Sequence, residues 1–110
     1  MVATLASRNI NMPITSEFVD DVLVIHVIGT LDSKQQKPFR EAYMQEGTKK
    51  AIILDFIETE FIDSAGISLL IGLHTSMGRK LDARTQIVNA SLGIKEILEI
   101  SRLDKFFDMT

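Results

Sequence analysis

The residues best placed to do chemistry are Asp63 and Ser64, in the stretch Phe61-Ile62-Asp63-Ser64-Ala65-Gly66-Ile67. A strongly apolar run, Ala51 to Phe56, stops shortly before it, and a helical apolar pattern, Ile67 to Leu73, starts just after it. Asp63 and Ser64 thus fall between a strand and a helix, in the position of an N-cap. There a side-chain oxygen accepts from backbone N–H groups that have no partner within the helix. In one reading Ser64 is only a cap, since Asp and Ser are both favoured at that position. In the other, its hydroxyl is presented to solvent at the positive end of a helix dipole, where a phosphate would meet free N–H donors.

Other reactive residue types are sparse. His26, inside a strand pattern, and His74, on the helix after the motif, are far apart and lack ligand spacing, so structural or solvated roles are expected for both. Asp32, Asp55 and Asp63 all fall near the C-terminal ends of strand patterns, where sites in α/β sheets gather and where three carboxylates can hold a metal. Gly66 and Gly72 form neither a dinucleotide fingerprint nor a P-loop. With no Ser-His pair at recognisable spacing, no cofactor motif and no basic cluster, the chain is not expected to be an enzyme, and neither a cofactor nor a metal is expected. The absence of cysteine removes disulfides and thiolate metal sites and fits a reducing cytoplasm. A formal charge of −3 argues against general affinity for nucleic acid, which needs a basic stripe. No apolar run approaches the roughly 18 residues of a membrane span.

The elements that must position Ser64 can be read in order. At 110 residues the chain holds one domain, large enough for a core without staples. Residues 1–13 are unpatterned and closed by Pro13, which suggests a flexible leader before a domain over residues 14–110. Ile14 to Val19 alternates and suits an edge strand. Asp20-Asp21 is turn chemistry leading to Val22–Ile28, a β-branched run expected to be buried on both sides, with Gly29 ending it. Asp32 or Ser33 offers a cap for a helix over about Gln35 to Glu46, with Phe39, Ala42 and Tyr43 on one face and Gly47 as its stop. Ala51 to Phe56 reads as the central strand and Ile57 to Ile62 as a loop into the motif. The motif helix is expected over about Ala65 to Met77, with Leu69, Leu70, Leu73 and Met77 facing a core. A short strand (Thr85 to Asn89), a helix over Leu92 to Ser101 and a strand or extended tail from Lys105 to Met109 complete the chain. This order predicts an α/β domain with parallel strands joined by right-handed crossovers.

Asp63-Ser64-Ala65-Gly66, Gly29-Thr30-Leu31-Asp32 and Leu103-Asp104-Lys105-Phe106-Phe107 together resemble motifs of the STAS-domain family, in particular the bacterial anti-sigma factor antagonists. The resemblance runs from Ile14 to Met109 and implies a single STAS-like domain, with a mixed β-sheet of about four to five strands and helices on one side. It implies a partner-switching regulator of transcription in the cytoplasm. In such a regulator the unphosphorylated form binds an anti-sigma factor that is also a serine kinase of the histidine-kinase-like ATPase fold. Phosphorylation on Ser64 blocks that binding, and a PPM-type serine phosphatase restores it. No direct contact with nucleic acid or membrane is implied. Thr30, Asp32, Ser33, Asp63, Ser64, Ala65 and Gly66 carry over as the partner-binding positions. Ala65 replaces a second serine common in the motif and leaves Ser64 alone as acceptor. The turn after the motif helix lacks the paired glycines often seen there and carries Arg79, Lys80 and Arg84.

Two alternatives stand beside this expectation. One is a STAS-type module for a nucleotide or small ligand, and the other a subunit of a signalling complex, with Ser64 only a helix cap in either case. The loop from Gly29 to Ser33 is expected beside the motif loop, because loops at one sheet edge converge. Two roles are then open to Asp32: orienting the Ser64 hydroxyl or touching the kinase, and capping the first helix.

Overall fold

In the computed structural model, which describes residues 13–81 and 84–109, alternation of apolar residues sets the strands and one-sided apolar stripes set the helices. The strands are β1 (Ile14–Val19), β2 (Val22–Val27), β3 (Gly29–Leu31), β4 (Ala51–Asp55), β5 (Thr59–Ile62), β6 (Gln86–Val88) and β7 (Asp108–Met109). The helices are α1 (Gln36–Tyr43), α2 (Ser64–Met77) and α3 (Leu92–Ile100), with single 3₁₀ turns at Ser33–Gln35 and Leu103–Lys105. The expected leader lies, up to Met12, outside the described residues.

The main sheet has the order β1-β2-β4-β6-β7. β1 is an antiparallel edge strand paired Ile14↔Val27 through Val19↔Val22, and the other neighbours are parallel. β4 takes the centre, as its apolar run suggests. The turn between β1 and β2 holds Asp20 and Asp21 at φ 49° and 68°. Two successive left-handed residues give the type I′ geometry whose twist matches paired strands.

One expectation about β2 fails. Leu23, Ile25 and Val27 are buried, but Val22, Val24 and His26 are only half-buried, and Ile53 and Asp55 of β4 share that second face. The three helices cover one side of the sheet, so only alternate residues enter the core. That core joins Leu23, Ile25, Ile52, Leu54 and Ile87 of the sheet to Phe39, Leu70, Leu73, Ile94 and Leu98 of the helices, all at most 1% exposed.

α1 is also shorter than its pattern. It stops at Tyr43, because the Gln45 side chain donates to the Ala42 carbonyl at 2.9 Å and to Ser16 Oγ at 2.7 Å. Those bonds replace a further helical turn and tie the helix end to β1, and Gly47 (φ 124°) turns the loop beyond. Phe39, Ala42 and Tyr43 are buried as expected. α3 opens on Ser91, whose Oγ accepts from Ile94 N–H at 3.2 Å, and buries Ile94 and Leu98, with Ile97 packed against the core.

The largest departure is a second sheet. Gly29–Leu31 and Thr59–Ile62, both expected as loops, pair in parallel with a register shift between Gly29 and Thr30. Gly29 N–H donates to Glu58 O at 2.9 Å, and Thr59 Oγ1 donates to Val27 O at 2.8 Å, anchoring this pair to the end of β2.

Candidate functional site

β3 and β5 deliver Asp32 and Asp63 to the same edge. Asp63 N–H donates to Leu31 O at 3.3 Å, so the two following loops lie side by side. At the first, the Asp32 carboxylate accepts from Lys34 N–H at 2.9 Å while Gln35 Oε1 accepts from Asp32 N–H at 2.7 Å. This reciprocal capping box satisfies two donors at the start of the 3₁₀ turn. Asp32 therefore has the capping role, before a 3₁₀ turn that leads into α1. Thr30 is half-buried on β3 opposite Phe61, and Ser33 is exposed.

At the second loop the N-cap is Asp63, not Ser64. Asp63 Oδ1 accepts from Gly66 N–H at 2.9 Å, and Ile67 N–H donates to the Asp63 carbonyl at 2.9 Å. Ser64 is the first helical residue and is exposed. Its carbonyl accepts from Ser68 Oγ at 3.2 Å, while its hydroxyl has no hydrogen-bond partner among the described residues. The N–H groups of Ser64 and Ala65 are those a first helical turn leaves without intrahelical acceptors. The assignment of the cap to Ser64 is corrected here: the Asp63 carboxylate, one position earlier, takes that place. Ala65 is half-buried.

Gly66 is buried for a steric reason. A Cβ at this position would stand 2.1 Å from the Leu31 carbonyl oxygen, so the first turn of α2 presses directly on the backbone of β3. The glycine sets how closely the helix end approaches the neighbouring loop.

The remaining expected residues are held elsewhere. Asp55 Oδ1 accepts from Ile57 N–H and from Asn89 Nδ2, each at 3.0 Å, which joins the ends of β4 and β6. Asp32, Asp55 and Asp63 each serve a local backbone cap, and among the described residues no three carboxylate or imidazole groups converge as metal ligands. His26 lies on the half-open sheet face between Glu17, 3.1 Å from Nε2, and Asp55 Oδ2, 3.2 Å from Nδ1 but off the hydrogen-bond direction. His74 stacks on Phe106 with ring centroids 4.5 Å apart. Sequence reasoning missed the Asp55–Asn89 link. Its one local signal, Asn89 at a strand end where a left-handed residue is tolerated (φ 61°), is visible only once the turn is seen.

A family model described as the STAS domain matches residues 13–110. Among solved structures, the anti-sigma factor antagonist SpoIIAA of Bacillus in its unphosphorylated form is 24% identical, with TM-score 0.67 over 88% of this chain and 86% of that one. Its phosphorylated form aligns with TM-score 0.62 over 88% of this chain and 90% of that one. An anti-sigma factor antagonist from Mycobacterium paratuberculosis is 20% identical, with TM-score 0.73 over 87% and 82%. A sulfate transporter family protein from Wolinella succinogenes is 16% identical, with TM-score 0.70 over 84% and 81%. At these identities the likeness is one of fold. No helix among the described residues is long and apolar enough to cross a membrane.

Proposed function

Because this chain belongs to the STAS-domain family, we propose that it is a phosphorylation-controlled binding module of the anti-sigma factor antagonist kind, with Ser64 as its regulatory acceptor. The observation that carries this reading is the division of labour at the start of α2. Asp63 holds the helix cap, and Ser64 keeps an exposed hydroxyl without a hydrogen-bond partner among the described residues. The unphosphorylated chain binds an anti-sigma factor that is also a serine kinase of the histidine-kinase-like ATPase fold, and a PPM-type phosphatase reverses the modification. The protein acts in the cytoplasm as a binding partner, not as an enzyme, and touches neither nucleic acid nor membrane directly. Thr30, Asp32, Ser33 and Ala65 complete the contact surface, while Asp63 and Gly66 hold the helix end in place.

The physics of the switch is local. Phosphate on Ser64 adds about −1.5 to −2 charges and a strongly hydrated group. A partner must desolvate that group to keep its contact, and an imperfectly paired buried charge costs several kcal/mol. Incubation with the cognate kinase and ATP, followed by mass spectrometry, should add one phosphate to the wild type and none to Ser64→Ala. Phosphate arriving on Ser68 or Thr59 of the Ala variant would overturn the assignment. Ser64→Ala should keep partner affinity, and the authentic phosphoprotein should lose it by orders of magnitude.

A further inference from the structure

α1 and α2 follow the parallel strands β3 and β5 and pack against each other. Between them lies a groove of about 150 Å³ with a floor of Phe39, Tyr43, Leu69 and Gly72. The floor is apolar apart from the Tyr43 hydroxyl, which lies 3.8 Å from where a Gly72 Cβ would stand. Gln36, Arg40 and Ser68 form the rim. A shallower depression continues from Arg40 along α1 past Lys37 and Lys34. Ile71, 44% exposed, extends the apolar surface on α2 beside Gly72.

The charge on this surface is of one sign. Lys34, Lys37 and Arg40 are exposed and make no ion pair among the described residues, and no acidic residue lines either depression. The chain as a whole carries −3, so the patch opposes the net charge of the molecule. Lys37 and Arg40 lie three residues apart on α1, a step of about 4.5 Å along the helix axis, and Lys34 precedes them in the 3₁₀ turn. Carboxylates three residues apart on a second helix are separated by the same step of about 4.5 Å.

We infer that the groove between α1 and α2 is a docking site for an acidic amphipathic helix of a protein partner. The apolar face of that helix covers Tyr43, Leu69 and Gly72, and its carboxylates meet Lys34, Lys37 and Arg40, in the helix-in-groove mode of recognition. The inference shares with the proposed function the reading of the chain as a binding module, but it does not depend on modification of Ser64.

The test is a titration of isotope-labelled, unmodified protein, without kinase, so that its result is separate from whether Ser64 accepts phosphate. One probe is a synthetic amphipathic helical peptide with leucines on one face and glutamates on the other, and the second carries lysines in place of the glutamates. The acidic peptide should shift the amide signals of Gln36, Arg40, Ser68, Leu69 and Gly72 and weaken at least about tenfold between low and high salt. The double variant Lys37→Glu with Arg40→Glu, whose changes are on exposed side chains and whose fold is checked by circular dichroism, should lose the acidic peptide and gain the basic one. Equal binding of both peptides, or shifts confined to other surfaces, would overturn the proposal. So would equal shifts from inorganic pyrophosphate or anionic lipid vesicles, which would make the groove a general anion surface.

Discussion

At the start of α2 the capping oxygen belongs to Asp63 and the exposed hydroxyl to Ser64, and the two side chains should separate cleanly under mutation. Asp63→Ala leaves Gly66 N–H without its acceptor and should cost about 0.5–2 kcal/mol in urea unfolding. Ser64→Ala removes only a solvated hydroxyl and should stay within about 0.5 kcal/mol of the wild type. If Ser64→Ala proves the more damaging, the cap has been assigned to the wrong residue. The same logic applies to the two glycines of α2. At Gly66 the gain of about 1 kcal/mol that alanine brings to a helix interior is overwhelmed, because a Cβ 2.1 Å from the Leu31 carbonyl must push backbone apart. The expected loss is about 1–3 kcal/mol or more. At Gly72 the nearest atom would be 3.8 Å away, an ordinary contact, so Gly72→Ala should stabilise the fold by about 0.5–1 kcal/mol.

Among the elements, the β1–β2 hairpin and the small β3–β5 sheet do different work. The hairpin turn holds two non-glycine residues in left-handed backbone, a conformation that costs L-residues up to about 1–2 kcal/mol and aspartate less. Asp21→Gly should therefore raise the thermal midpoint, provided the Lys50 N–H bond to the Asp21 carbonyl (2.8 Å) is retained, and a lower midpoint would show that the turn depends on the aspartate itself. The β3–β5 pair is three and four residues long, too short to hold together without anchors. Thr59, 6% exposed, supplies one through its bond to Val27 O. Thr59→Val keeps the shape but orphans that bond, and it should cost about 1 kcal/mol. Faster amide exchange should then appear first in β3 and β5.

For the whole molecule the question is whether a phosphate on Ser64 alters the fold or only the surface. The helix dipole and the free N–H groups of the first turn favour it by roughly 0.3–1 kcal/mol. Repulsion from Asp63, screened by solvent, opposes it by a similar amount. The two nearly cancel, so the thermal midpoint should move by only a few degrees, since about 1 kcal/mol shifts a domain of this size by about 4–8 °C. Amide signals should change around β3, β5 and the first turn of α2. Changes spread through β2, β4 and β6 would replace the local switch with an allosteric one.

The sequence by itself determined the class of fold, the edge and central strands, the buried faces of the helices and the position of Ser64 at a helix start. Each of these follows from periodicity over six or more residues or from a short polar stretch between two apolar runs, signals that are local and physical. It could not determine which of Asp63 and Ser64 is the cap, because both residue types suit either role and the choice depends on backbone angles at the turn. Nor could it reveal β3 and β5, whose three- and four-residue lengths carry no period and whose partners are 30 or 31 residues apart. The fit of Gly66 against Leu31, the half-open second face of the sheet and the cation-rimmed groove between α1 and α2 were likewise settled only by tertiary structure. Each depends on how closely two elements distant in the chain approach, and that distance is set by packing.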